Sequence, residues 1–190
     1  MDQQPAPSAK PNVAQLARKI DRPVVLVGMM GVGKSSVGKR LAALLDCGFV
    51  DADDEIEKSA QLTIPEIFDQ FGEDYFRDGE RRVIARLMAD GSRRVIATGG
   101  GAFCNDDTRA LILDNAITVW LDSDVDTLVE RTSRKENRPL LKQGDPREIL
   151  SRLREERRHA YAQAPIHVVS TSGPHTHTVA KVLDGIAQWL

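Results

Sequence analysis

The chain has 190 residues, 41% of them hydrophobic and 28% charged, which suits one domain with a sizeable core rather than a disordered or fibrous chain. A formal net charge of -2 gives no electrostatic case for nucleic acid or an anionic membrane surface as partner. No apolar run reaches the roughly 18 residues needed to cross a bilayer, and the two cysteines, Cys47 and Cys104, stand far apart, as expected of reduced thiols in a cytoplasmic protein.

The first 23 residues hold Pro5, Pro7, Pro11 and Pro23 around a short helical patch, Val13 to Ile20, and lack the apolar centre of a signal peptide. They are expected to form a mobile extension outside the fold, leaving residues 24–190 as the domain. Val24 to Val27 then reads as a buried parallel strand. It breaks at once into Gly28-Met29-Met30-Gly31-Val32-Gly33-Lys34-Ser35, which matches G-x-x-x-x-G-K-[ST] between a strand and an amphipathic helix carrying Val37, Leu41, Leu44 and Leu45. Glycines let successive N–H groups turn inward around phosphate oxygens, the helix N-terminus adds its dipole, and Lys34 and Ser35 supply an ammonium and a hydroxyl. The chemistry expected is binding of a purine nucleoside triphosphate with Mg2+.

Phe49 to Asp53 reads as a short strand ending in acid, with Asp51 and Asp53 at i and i+2 on one side. One carboxylate could serve Mg2+ and the other could take a proton from an acceptor hydroxyl; alternatively Asp51, Asp53, Asp54 and Glu55 merely cap the next helix, the role expected of Asp54 and Glu55. From Asp54 to Asp90 the pattern is helical with turns. Within it Arg77 and Glu80 are spaced to meet on one face, either as an anion receptor or as an exposed ion pair of little value; spacing alone does not choose. Arg94 to Thr98 is a further strand running into Gly99, Gly100 and Gly101, where backbone can approach a ligand closely. Ile117 to Asp122 is another, and its terminal Asp122 rivals Asp51 for the metal.

A helix is expected from Val125 to Thr132, followed by a basic, weakly periodic stretch from Arg131 to Lys142 that is either a solvated surface face or, beside a nucleotide site, a mobile lid at about 132–144 in which Arg138 closes over the phosphates and offsets charge. Gly144-Asp145-Pro146 begins a polar helix to about Gln163. Ile166 to Ser170 is the last strand and Thr178 to Leu190 the closing helix. His175 and His177, an H-x-H pair with no third ligand nearby, read as a surface turn.

In this order and spacing, G-M-M-G-V-G-K-S, Asp51-Ala52-Asp53, Phe76-Arg77-Asp78-Gly79-Glu80, Thr98-Gly99-Gly100-Gly101 and Asn137-Arg138-Pro139-Leu140-Leu141 resemble the shikimate kinases over about residues 24–189. These are small P-loop enzymes of the nucleoside-monophosphate-kinase type that phosphorylate the 3-hydroxyl of shikimate with ATP. The resemblance implies a three-layer α/β/α fold with a five-stranded parallel sheet in the order 2-3-1-4-5, and substrate-binding helices at about 53–90. It places Gly31, Val32, Gly33, Lys34, Ser35 and Ser36 on the nucleotide phosphates. Ser35 takes Mg2+ directly and Asp51 through water, which demotes Asp122. Asp53 matches the acid that holds the shikimate hydroxyls and acts as base. Arg77 and Gly100 match substrate positions, with Gly99 and Gly101 shaping the same loop. Arg138 matches the lid arginine and Arg131 an arginine lying against adenine. A second carboxylate-binding arginine normally sits in R-x-P-x-Y. Its counterpart is Arg157-Arg158-His159-Ala160-Tyr161, so Arg157 takes the role, with the register to Arg158 left open by His159 in the proline position.

Two rivals remain at this stage: a kinase for another polyol acid such as gluconate, and an ATP-binding switch that phosphorylates no metabolite. A monomer is expected, with shikimate as its small-molecule partner.

Overall fold

The structure, a computed structural model, describes residues 12–133, 141 and 144–190. Its frame is a five-stranded parallel sheet in the order β2-β3-β1-β4-β5, made from Gly48–Asp51, Arg94–Ala97, Val24–Val27, Ile117–Asp122 and Ile166–Val169 respectively. β1 is buried along its whole length, as a central strand covered on both faces must be. Val25 pairs with Ile96 on one side and Thr118 on the other, so the ends of β1 and β3 lie level and their loops share one rim.

The strands alternate with helices α2 (Lys34–Leu44), α3 (Ala52–Ala60), α4 (Ile64–Ala89), α5 (Asp106–Asn115), α6 (Val125–Ser133), α7 (Pro146–Tyr161) and α8 (His175–Trp189). α2 packs on the sheet with α8 beside it, while α5 lies against β4 and α4. α4 begins in a reciprocal cap between Thr63 and Glu66 and bends at Gly72, whose φ of 81 departs from helix. Beyond that bend the second segment, which contacts α3 through Arg86, carries Arg77 and Glu80.

Four features differ from the sequence reading. Helix α1 (Val13–Lys19), capped by Asn12, is no loose extension: Leu16, Ala17 and Ile20 are buried in the main core, and Arg93 Nη1 donates to the Ala17 carbonyl at 2.6 Å. The strand expected to run to Asp53 stops at Asp51, which caps α3 by accepting from Asp53 N at 3.1 Å. Asp53 therefore stands in a first helical turn. α5, capped by Asn105, was not foreseen, and α8 starts at His175 rather than Thr178. Among the described residues no helix is long and apolar enough to cross a membrane.

Candidate active site

At the carboxyl end of β1 the chain turns through Gly31 and Gly33. Gly33 caps α2 at a left-handed φ of 101, and a Cβ there would lie 2.8 Å from His175 Cε1, so glycine is required by both torsion and space. Lys34 Nζ folds over the loop, donating to the carbonyls of Gly28 and Met29 at 2.8 and 2.9 Å. Ser35 Oγ donates to Asp51 Oδ2 at 2.6 Å. Arg131 reaches in from α6, donating to the carbonyls of Val32 at 3.0 Å and Thr171 at 2.7 Å. These groups enclose a cavity of about 360 Å3, with Ser36, Asp53, Gly99, Gly100 and His175 completing its wall. Burial first, and then the charges of Arg131 and Arg40, hold the His175 imidazole below its ordinary range.

A second cavity of about 500 Å3 adjoins it, lined among others by Arg77, Gly101, Cys104 and Arg157. Arg77 Nη1 donates to Glu80 Oε2 at 2.7 Å, and Glu80 is only 1% exposed. Burial pushes the Glu80 carboxyl up against the pull of Arg77 and Arg157, so this is a desolvated pair rather than a surface one.

Between the cavities runs Gly99 to Gly101, and three neighbours press on it. A Cβ on Gly99 would lie 2.8 Å from Asp53 Oδ1, one on Gly100 3.3 Å from Arg157 Nη1, and one on Gly101 2.5 Å from Arg77 Nη2. Each glycine thus makes room for a different charged side chain. Asp53 lines the first cavity beside Gly99, which Glu80 also approaches, and burial, followed by the charges of Asp51 and Glu80, raises its pKa to about 6. Near neutral pH it is ionised yet poised to accept a proton.

Of the expected site residues that the structure describes, all but the buried Val32 line one of the two cavities, and Arg138 lies outside the described residues. Arg157 lines the second cavity, whereas Arg158 is exposed. Asp122 lines neither cavity and is held by Arg154 instead. Two participants escaped the sequence reading. His175, expected in a surface turn, packs on Gly33, whereas His177 is exposed. Tyr161 is buried, with its hydroxyl donating to the Gly100 carbonyl. Position four residues after Arg157 on one helix was the available signal for Tyr161; His175 had none, because its neighbour comes from the other end of the chain. A third cavity of about 310 Å3, between α3 and α4, has an apolar floor of Ile56, Ile67, Phe76 and Val83 and contains none of the expected site residues.

A phosphate-binding loop opening onto an acid-and-arginine chamber, on this sheet, defines a P-loop phosphotransferase. The comparisons sharpen that class. The family model for shikimate kinase matches residues 30–187. A shikimate kinase of Novosphingobium aromaticivorans is 64% identical over 181 residues, covering 94% of this chain and 94% of that protein. The solved structure of a shikimate kinase from Acinetobacter baumannii in complex with shikimate superposes with a TM-score of 0.84 at 35% identity, covering 90% of this chain and 97% of the other. A gluconokinase from Sinorhizobium meliloti, at 18% identity and a TM-score of 0.60 over 90% of this chain and 94% of its own, shares the fold alone. The chain belongs to the shikimate kinase family and is an enzyme of that family.

Proposed function

We propose that this chain transfers the γ-phosphoryl group of ATP to the 3-hydroxyl of shikimate, with residues 24–190 forming the kinase domain and α1 packed onto it. The observation that carries the reading is a buried carboxylate of raised pKa, Asp53, on the wall of the phosphate-loop cavity, within the influence of Lys34 and Glu80 and against Gly99, which begins the strip leading to the arginine-lined cavity. On one side backbone N–H groups of Gly31 to Ser36, with Lys34, suit the triphosphate, and Arg131 and His175 border the nucleotide. On the other, Arg77 and Arg157 suit a carboxylate, because guanidinium groups bind it in a planar, bidentate way.

Ser35 and Asp51 present a hydroxyl and a carboxylate 2.6 Å apart, hard oxygen donors that fit Mg2+. Among the described residues no cluster of three or more His, Cys, Asp or Glu could hold a metal unaided, so water and phosphate oxygens would complete the shell. Bound there, Mg2+ supplies charge compensation to the phosphates. Asp53 then accepts the proton of the attacking hydroxyl, the two arginines orient the acid end of the substrate, and Lys34 follows the transferring group. Arg138 and the segment 132–144 would act as the closing lid that excludes water.

The same reading makes the protein a cytoplasmic monomer; its two cysteines are free thiols. A coupled ADP-release assay across shikimate, quinate, gluconate and nucleoside monophosphates tests it. Turnover with shikimate alone is expected. Preference for gluconate would favour the other polyol-acid kinase, and no acceptor-dependent ADP release would favour the switch.

A further inference from the structure

Helix α7 brings Arg157 to the acceptor cavity, and two contacts flank that residue on the same helical face. Four residues later the Tyr161 hydroxyl donates to the Gly100 carbonyl, tying the helix to the glycine strip. Three residues earlier Arg154 grips Asp122 at the end of β4: Nε and Nη2 reach Oδ1 at 3.3 and 3.2 Å, and Nη2 reaches Oδ2 at 3.2 Å. The Asp122 carboxylate is a hub. Its Oδ1 also accepts from Ser123 N at 2.8 Å, and its Oδ2 lies 3.3 Å from His167 Nε2. The His167 ring in turn lies flat on Trp120, with centroids 3.9 Å apart and planes at 11°.

This carboxylate ends a strand and is, from the sequence, the rival to Asp51 for the metal, yet Asp51 holds Ser35 and Asp122 holds a helix. Among the described residues no carboxylate forms an ion pair with Arg157. Its guanidinium meets the Tyr161 hydroxyl and feels Glu80, so where it points depends on where α7 sits. An isolated, partly exposed ion pair would contribute little. Forked contact to a carboxylate already fixed by a backbone N–H and an imidazole is a stiffer arrangement, with side chains of Asp122 and Arg154 only 12% and 30% exposed.

We infer that Asp122 and Arg154 are positioning residues that set α7 on the sheet so that Arg157 meets the substrate carboxylate. This rests on the reading above that Arg157 binds that carboxylate. Neither residue touches substrate. Their effect should fall on shikimate KM and pass entirely through Arg157.

The test is steady-state kinetics on the full chain carrying Asp122→Asn, Arg154→Met and Arg154→Lys, each alone and with Arg157→Ala, alongside thermal melts. Asp122→Asn and Arg154→Met should each raise shikimate KM about 3- to 10-fold, the coupling expected between touching residues. kcat and ATP KM should stay within about twofold of the parent, and Arg154→Lys should recover part of the loss. In the Arg157→Ala background, Asp122→Asn should add nothing further. Additive increases there, equal losses in kcat and both KM values, or single variants with unchanged shikimate KM would overturn the inference, even if Arg157→Ala itself raises that KM. Should Arg157→Ala leave shikimate KM unchanged, the carboxylate assignment fails and takes this inference with it. If Asp122→Asn does not fold, the Arg154 pair of variants decides the matter alone.

Discussion

The donor and acceptor cavities share a wall but are built by different means. The donor side is mostly backbone from one continuous stretch, Gly31 to Ser36, closed by Arg131 and His175. The acceptor side is mostly side chains gathered from separate elements, Arg77 from α4 with its partner Glu80 and Arg157 from α7, pressed with Asp53 of the donor wall against a glycine strip. Binding a triphosphate needs only a local chain conformation and a helix N-terminus. Recognising a small carboxylated polyol needs a folded protein.

Substitutions should separate the two sides, and the largest effect is expected at Asp53. Asp53→Asn should lower kcat about 10^2- to 10^4-fold, the range for losing a general base, while calorimetry shows ATP affinity within a few fold of the parent. In the parent, log kcat/KM for shikimate should fall with unit slope below about pH 6, the value to which burial raises Asp53. The same group strains the fold. Its native pKa, about 6 against an ordinary 3.8, means that ionisation disfavours the folded state. The penalty is absent below pH 3.8, grows through the window to about pH 6 and is complete above it, reaching at most about 3 kcal/mol at 1.36 kcal/mol per unit. Asp53→Asn should therefore melt higher than the parent at pH 8 and no higher at pH 3.5, and a variant that melts lower at pH 8 would contradict the assigned strain.

Lys34→Ala should cost about 10^2- to 10^3-fold in kcat, as for loss of a preorganised charge-stabilising donor. Near-normal turnover would overturn its part in the donor side. Arg77→Ala should raise shikimate KM about 10- to 100-fold, the value of a charged hydrogen bond, with ATP KM nearly unchanged. It should also depress Tm, because Glu80 is left buried without its partner at 2.7 Å. Smallest is Gly101→Ala, whose Cβ would lie 2.5 Å from Arg77 Nη2. A several-fold rise in shikimate KM with little change in kcat is expected, whereas a pure loss of kcat would place the strip on the donor side.

Legibility followed the same division. The phosphate loop could be read at once, because its spacing is its mechanism. Arg77 and Glu80 could be paired by spacing, but not valued. Whether such a pair is idle or a receptor depends on burial, and Glu80 is enclosed by Gly99 and Arg157, which lie far from it in sequence. Resemblance to a family supplied what spacing lacked. Asp51 has two partners that spacing alone did not reveal: it caps α3 by accepting from Asp53 N and accepts from Ser35 Oγ. Helix α1 was misjudged because prolines around a short patch suggest a loose tail, while the burial of Leu16 and Ile20 depends on a groove formed by other parts of the chain. Asp122 looked like a metal ligand from its strand, and only the fold places Arg154 opposite it.

The most direct test of a divided cavity is a crystal structure of the chain with ADP, Mg2+ and shikimate bound. The β-phosphate should lie within the Gly31 to Ser35 loop, the shikimate carboxylate between Arg77 and Arg157, and a ring hydroxyl against Asp53. A carboxylate bound elsewhere, with Arg77 and Asp53 turned away from the nucleotide, would contradict it.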